Sequence, residues 1–278
     1  MEPKKTLFIN LSQKTAEIQL LPELTPYVGG VAMGVKLFSL YKDADPIVAC
    51  AGPLNGFFPF ASKTCFVVQS DGVIEDLYIG GGLSFRLRFA GLDALVLAGS
   101  GSENVILDIT NDEVKFLDGQ ADFDSLGLPG KRSILQMERG ALLLDGYFGF
   151  DAGILEKKFT SKKVLGLSIT GTKKTPILES AKFTTLFNEI LGQKELVNAE
   201  ASNCPSCSGC PLGCDKSKTG EMGGNILMHS LVACGYAENI YSNLGTVFAC
   251  LDCLGYKYTH EQLEALPDLF TKTLKEIS

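Results

Sequence analysis

The chain has 278 residues, 45% hydrophobic and 21% charged. That is room for about two ordinary globular domains, and it excludes disordered and fibrous classes. The net charge of −7 comes with no basic cluster beyond the pairs Lys131–Arg132, Lys157–Lys158, Lys162–Lys163 and Lys173–Lys174, read as solvated edges. Nucleic acid and anionic membrane surfaces are therefore not expected partners.

Lys4 and Lys5 are not followed by an apolar signal core, and no run of ~18 apolar residues occurs. The expectation is a cytoplasmic protein whose nine cysteines bind metal or are simply buried. Thirty glycines without a G-X-Y period point to tight turns and close backbone approaches.

In chain order, Thr6–Leu11 and Thr15–Leu21 alternate as a hairpin around residues 12–14. Val31, Val35 and Phe38 then fall at helical spacing behind Gly29-Gly30. Short strands follow at Pro46–Ala51 and Cys65–Gln69. A short helix over Leu83–Ala90 follows Gly80-Gly81-Gly82. Strands continue at Ala94–Ala98, Asn104–Ile109, Glu113–Leu117 and Val164–Ile169. From Ser180 the texture becomes helical, over Lys182–Leu191, Glu195–Glu200, Asn225–Cys234, Gly245–Leu254 and Thr259–Ile277. Thr259 and Gln262 have capping-box spacing. The expected class is α+β: a mixed-sheet N-terminal domain over residues 1–195, then a short helical region over 196–278.

The strongest motif is Cys204-Pro-Ser-Cys207-Ser-Gly-Cys210-Pro-Leu-Gly-Cys214, a C-x2-C-x2-C-x3-C run. This spacing matches bacterial iron–sulfur runs, because short spacers let one loop present thiolates to different irons of a cubane. Small residues at 208, 209 and 213 let backbone amides approach the sulfides, and Pro205 and Pro211 favour turns. Asp215 stands where the ferredoxin run has proline, and there is no second run to share Cys214. Cys204, Cys207, Cys210 and Cys214 are thus the candidate metal ligands. A [4Fe–4S] cluster leads, with zinc or no metal as alternatives; structural zinc usually splits four cysteines into two separated CxxC pairs.

Cys250 and Cys253 share a helix face and read as buried, with a supplementary ligand or redox pair as the other option. Cys50, Cys65 and Cys234 sit in apolar runs and read as core. His260 is expected at an exposed helix start, and His229 as a core histidine. No catalytic triad, HExxH, P-loop or GxGxxG is present, so no catalytic or organic-cofactor residue is assigned.

Several segments together resemble the tungsten-containing aldehyde ferredoxin oxidoreductase family. They are Leu7–Leu11, Tyr27–Gly30 with Gly34–Leu37, Ala51–Leu54, Arg88–Leu97, Ser161–Leu167 and Cys207–Cys214. The resemblance implies a mixed α+β base for a tungsten bis-pterin, helical domains completing the site, and a [4Fe–4S] cluster passing electrons to ferredoxin. The implied reaction is oxidation of an aldehyde to a carboxylate. Cys207, Cys210 and Cys214 would then be cluster ligands.

The sequence also departs from the family. It is about half the expected length, so a truncated, divergent member is expected. The family's fourth cluster cysteine would fall beyond residue 278, and Cys204 is an extra cysteine able to replace it. The family's arginine bridging cluster and pterin falls near Lys63-Thr64. Its asparagine before the Gly-Gly element falls near Tyr78, its Arg-Gly-Gly pterin loop near Phe150–Leu155, and its Glu-Tyr-Glu segment near Gly224–Ile226.

The tungstopterin site is accordingly read as degraded, leaving an iron–sulfur protein that relays electrons to a ferredoxin-like carrier or a larger oxidoreductase subunit. One alternative is a subunit of a split tungsten or molybdenum aldehyde oxidoreductase, completed by a partner chain. The other is a non-catalytic scaffold with structural zinc or no metal. Oligomerisation is expected on either reading.

Overall fold

The computed structural model describes residues 3–150 and 152–277. Twelve strands are present among them: β1 (Lys4–Asn10), β2 (Thr15–Leu21), β3 (Ile47–Cys50), β4 (Thr64–Ser70), β5 (Val73–Ile79), β6 (Ala94–Ala98), β7 (Val105–Thr110), β8 (Glu113–Asp118), β9 (Arg132–Glu138), β10 (Ala141–Leu144), β11 (Val164–Thr170) and the two-residue β12 (Glu221–Met222). They form a seven-stranded sheet, ordered β12-β5-β4-β3-β6-β1-β2, and a five-stranded sheet, ordered β10-β9-β11-β7-β8. Both sheets are mixed: β1 runs parallel to β6 and β11 parallel to β7, and the other pairings are antiparallel.

The period-2 pattern explains the layering. Along β3, β4 and β6 nearly every residue is buried, because both faces of the large sheet are covered. Phe66, Val68, Leu95 and Leu97 face the small sheet, where Leu107, Ile109, Leu135 and Leu167 close a core. Their alternates Cys50, Cys65, Val67 and Val96 face a helical layer. That layer is built on helix α1 (Gly30–Tyr41), whose Val31, Val35 and Phe38 are buried against the sheet. Helix α2 (Leu83–Ala90) and helix α3 (Ile154–Ser161) contribute Leu83, Leu87, Leu155 and Phe159 to the core between the sheets.

Beyond α4 (Ser180–Leu191) come α5 (Lys216–Thr219), α6 (Ile226–Leu231), α7 (Glu238–Tyr241), α8 (Leu244–Cys253), α9 (His260–Glu264) and α10 (Leu266–Ile277). The α+β class is as expected. Strands β5, β9 and β10 and helix α3 have no counterpart in the sequence reading.

Three helix expectations are corrected. Glu195–Glu200 is only a 3-10 turn over Lys194–Leu196, because the Asn198 amide donates to the Tyr236 carbonyl instead of continuing a ladder. Helix α6 stops at Leu231; Ala233 turns to φ +54°, and Asn55 takes the Val232 carbonyl. The C-terminal helix breaks at Ala265, ahead of Pro267, which has no amide to give. The Thr259–Gln262 capping box does form. Lys162 is also no solvated edge residue: it is buried, and its Nζ donates to the Gly99 carbonyl. No helix among the described residues is long and apolar enough to cross a membrane.

Candidate functional site

The cysteine run forms a loop docked on the end of the large sheet. The Ser208 amide donates to the Gly81 carbonyl at 3.1 Å, and the Phe60 amide to the Gly209 carbonyl at 3.3 Å. Within the loop, the Cys210 amide closes a turn on the Cys207 carbonyl at 3.0 Å. Ala201 and Cys214 form an isolated β-bridge, and the Ser202 amide bonds Gly213 at 3.0 Å, tying the loop's two ends. Gly80 permits the docking: a Cβ there would lie 2.7 Å from Cys207 Sγ and 2.8 Å from Phe148. No other residue type admits the loop at this distance.

The four run cysteines do not share one environment. Cys207 is buried, and Cys204, Cys210 and Cys214 are half-buried. Burial pushes the Cys210 thiol up to about 12 and the Cys207 thiol upward, and Cys214 acts electrostatically on both. Cys204 instead faces Ser202 and Tyr147, whose hydrogen bonds hold its thiol below the ordinary value. Cys50 and Cys65 are fully buried opposite one another across β3 and β4, and Cys250 and Cys253 are fully buried in α8.

Next to the loop lies a charged group that sequence reasoning missed. Thr64 pairs with Ile79, so Lys63 enters opposite Gly80; Glu221 pairs with Tyr78. The Lys63 ammonium is 2% exposed, 3.2 Å from Glu221 Oε1 and 4.7 Å from the Tyr236 ring centroid. It makes no hydrogen bond. Burial alone would lower its pKa, but Cys234, Glu221 and Cys207 hold it above the ordinary value. Burial likewise pushes Glu221 up, and the neighbouring His229 and Lys63 outweigh it, leaving the carboxyl below its ordinary value.

His229 is buried, as expected, but its surroundings are polar. Its Nδ1 lies 3.1 Å from the Asn225 carbonyl, and its Nε2 is 3.5 Å from Glu221 Oε1. Its ring lies 3.9 Å from that of Tyr78. His260 is exposed and ion-pairs with Glu264 at 3.1 Å. No local motif signals Lys63, Glu221 and His229 as a group; only the strand register joins them.

Residues 6–137 match the N-terminal domain of aldehyde ferredoxin oxidoreductase. Tungsten-containing aldehyde ferredoxin oxidoreductases of Pyrococcus furiosus and Thermococcus kodakarensis are each 23% identical, over 56% and 66% of this chain. The matches cover 31% and 36% of those proteins, so the chain spans about a third of the curated relatives it matches. Just under half of the chain thus resembles the N-terminal domain of the aldehyde ferredoxin oxidoreductases, and at this identity it is similar to them as a divergent relative. Its fold is similar to that in the active site complex BamBC of benzoyl coenzyme A reductase with 1,5-dienoyl-CoA. The TM-score is 0.64 at 14% identity, covering 100% of this chain and 64% of that one.

The two cofactors that the family suggests fit these residues differently. The donor set suits an iron–sulfur cluster: the loop's thiols lie beside the Lys63 ammonium, which is paired with Glu221 but makes no hydrogen bond, and thiolate-held clusters are anionic. The thiols do not converge on one point. Among the described residues, no group of three or more His, Cys, Asp or Glu could hold a single metal ion. A tungstopterin does not fit. The Gly80–Gly81 face is filled by Cys207, Phe148 and Leu144, and the family's asparagine is replaced by a buried Tyr78 stacked on His229. Of the expected pterin loop, Phe150–Leu155, Asp151 lies outside the described residues, and Ile154 and Leu155 begin α3.

Proposed function

We propose that this chain carries one [4Fe–4S] cluster on its cysteine loop and relays electrons to or from a ferredoxin-like carrier or a larger oxidoreductase subunit. The observation behind this reading is the buried Lys63 ammonium, ion-paired with Glu221 but without a hydrogen bond, next to thiols of the loop. Cys207, Cys210 and Cys214 are three of the ligands. Cys204 is the fourth candidate on spacing. A bound cluster would supply one-electron transfer.

The chain's own residues do the rest. Lys63 offsets the negative charge of the thiolates, which favours the reduced, more negative state. Glu221 keeps that ammonium in place from the other side, and the Gly235 amide donates to its Oε1 at 2.9 Å. Backbone amides of Gly81 and Leu212 donate toward Cys207 and Cys210, which lowers the cost of holding thiolates.

The test is metal analysis with absorption spectroscopy on anaerobically purified protein. About four irons and a band that bleaches on reduction are expected. Cys207→Ser should remove both; unchanged iron in that variant overturns the assignment. Tungsten or molybdenum in a complex purified with a partner would favour the split-enzyme reading. The solved relative is itself a complex of chains, which gives that reading some support. Zinc alone, or no metal, would leave a scaffold.

A further inference from the structure

A cavity of about 560 Å³ opens between the start of β1, the end of α2 and the segment that follows α8. None of its lining residues belongs to the cysteine loop or to the Lys63 group, and the electron-relay reading makes no use of it. The fold brings charge there from several directions. Thr6 of β1 pairs with Ala94 of β6, which sets Asp93 beside Lys5. Gly91, at φ +75°, caps α2 and turns the chain so that Arg88 meets Asp93 at 2.7 Å. Beyond α8, the Tyr256 amide folds back onto the Leu251 carbonyl at 3.0 Å, and Tyr256 and Tyr258 join the lining.

The charges there do not balance. Three cations, Lys4, Lys5 and Arg88, line the cavity with one carboxylate, Asp93. Lys5 is served from outside by Asp112 at 3.7 Å. The two Asp93 oxygens are taken by the Arg88 guanidinium and the Lys5 amide. The Lys4 side chain is only 4% exposed, and its ammonium rests over the rings of Tyr256 and Tyr258, at 5.0 and 5.9 Å. Arg88 Nε is buried with no hydrogen bond. Burial alone would lower the Lys4 pKa, but Asp93, Tyr256 and Tyr258 hold it above the ordinary value, so the ammonium keeps its charge.

A group built only to tie β1 to the helices would close around its charges. Here the surplus cation borders open space, in a chain whose net charge is −7. The rest of the lining is mostly apolar, and Phe57 adds a third ring, 5.4 Å from the Arg88 guanidinium. A few convergent polar groups in an otherwise apolar cavity of this size mark a small-molecule site.

We infer that this cavity binds a small carboxylate bearing an aromatic ring, its anionic head against Lys4 and its ring beside Phe57 and Tyr256. One negative charge answers the one surplus cation, and a flat ring answers the aromatic wall. The inference does not depend on the cluster reading.

The test is calorimetric titration of the full chain with phenylacetate, phenylacetamide and inorganic phosphate. Phenylacetate should bind saturably, and its uncharged counterpart phenylacetamide roughly tenfold or more weakly. Lys4→Met removes the surplus cation at nearly constant length and leaves Arg88 with Asp93; it should bind phenylacetate no better than phenylacetamide. Leu178→Trp fills the cavity mouth from a rim residue that is 65% exposed, without touching the charges. It should abolish binding, and it decides the matter should Lys4→Met fail to fold. No saturable binding of phenylacetate, equal binding of phenylacetamide, or an unchanged phenylacetate affinity in either folded variant overturns the inference. Inorganic phosphate binding as tightly as phenylacetate overturns the ligand class.

Discussion

Two buried ionic groups on this fold share out their carboxylates differently. Beside β1 and β6, Asp93 receives the Arg88 guanidinium at 2.7 Å and the Lys5 amide at 2.8 Å, so each oxygen has a donor. Arg88 also donates to the Tyr256 hydroxyl at 2.6 Å, and the Lys4 ammonium lies 5.0 Å from the Tyr256 ring centroid. Beside β4, β5 and β12, Lys63 and His229 share one carboxylate, and both Lys63 Nζ and His229 Nε2 lack a hydrogen bond. In the first, both carboxylate oxygens are satisfied, although Arg88 Nε still lacks a partner. The second leaves two nitrogens that a further acceptor or negative charge would satisfy, and it adjoins the thiols.

The largest test of that contrast is Asp93→Asn. It leaves Lys4 and Arg88 buried without their counter-ion and should cost about 3–5 kcal/mol in denaturant unfolding. Burial raises the Asp93 pKa, but Lys4 and Arg88 outweigh it and hold the carboxyl below its ordinary 3.8. A folded value below the unfolded one stabilises above the ordinary carboxylate range and is lost as pH falls through the folded value. The gap between wild type and Asp93→Asn should therefore close below about pH 4. A gap independent of pH would break the comparison.

Asn55→Ala comes next. It orphans the buried Lys63 and Val232 carbonyls and the Gly52 amide, which Asn55 Oδ1 receives at 2.7 Å. A loss of about 3 kcal/mol is expected, at 1–3 kcal/mol per orphaned group and without full additivity. Iron content should fall with it, because Asn55 holds the Lys63 segment that lies beside the loop.

Lys63→Met should cost the metal-free protein only about 1 kcal/mol, since Glu221 keeps His229 and the Gly235 amide. Its effect should appear instead as a more negative midpoint potential of the loaded protein. A stability loss as large as that of Asp93→Asn would make the two ion groups equivalent. The smallest change, Thr259→Ala, removes the α9 capping box without touching either carboxylate and should cost about 1 kcal/mol with iron unchanged.

The elements legible in sequence were those whose pattern is local. The β1–β2 hairpin, the Val31–Val35–Phe38 stripe, the Leu83–Ala90 helix and the Thr259 cap all announce themselves within ten residues. Strand β5 did not, because Glu75 and Asp76 interrupt its apolar alternation. Helix α3 did not, because only Leu155 and Phe159 of its eight residues are buried. The cysteine run was legible for the same local reason. Lys63, Glu221 and His229 were not, since their meeting depends on the Thr64–Ile79 and Glu221–Tyr78 registers.

The two-residue strand β12 carries a consequence for folding order. Glu221 and Tyr78 lie about half the chain apart, and β12 is the strand that joins the cysteine loop to the sheet edge. Contacts of such separation are costly in loop-closure entropy and form late. The β5 edge therefore waits uncovered until most of the chain has been made. Metal captured by the loop would pull this last pairing shut, so that in a cell starved of iron the protein would be cut by proteases first around residues 200–225, with the two sheets still intact.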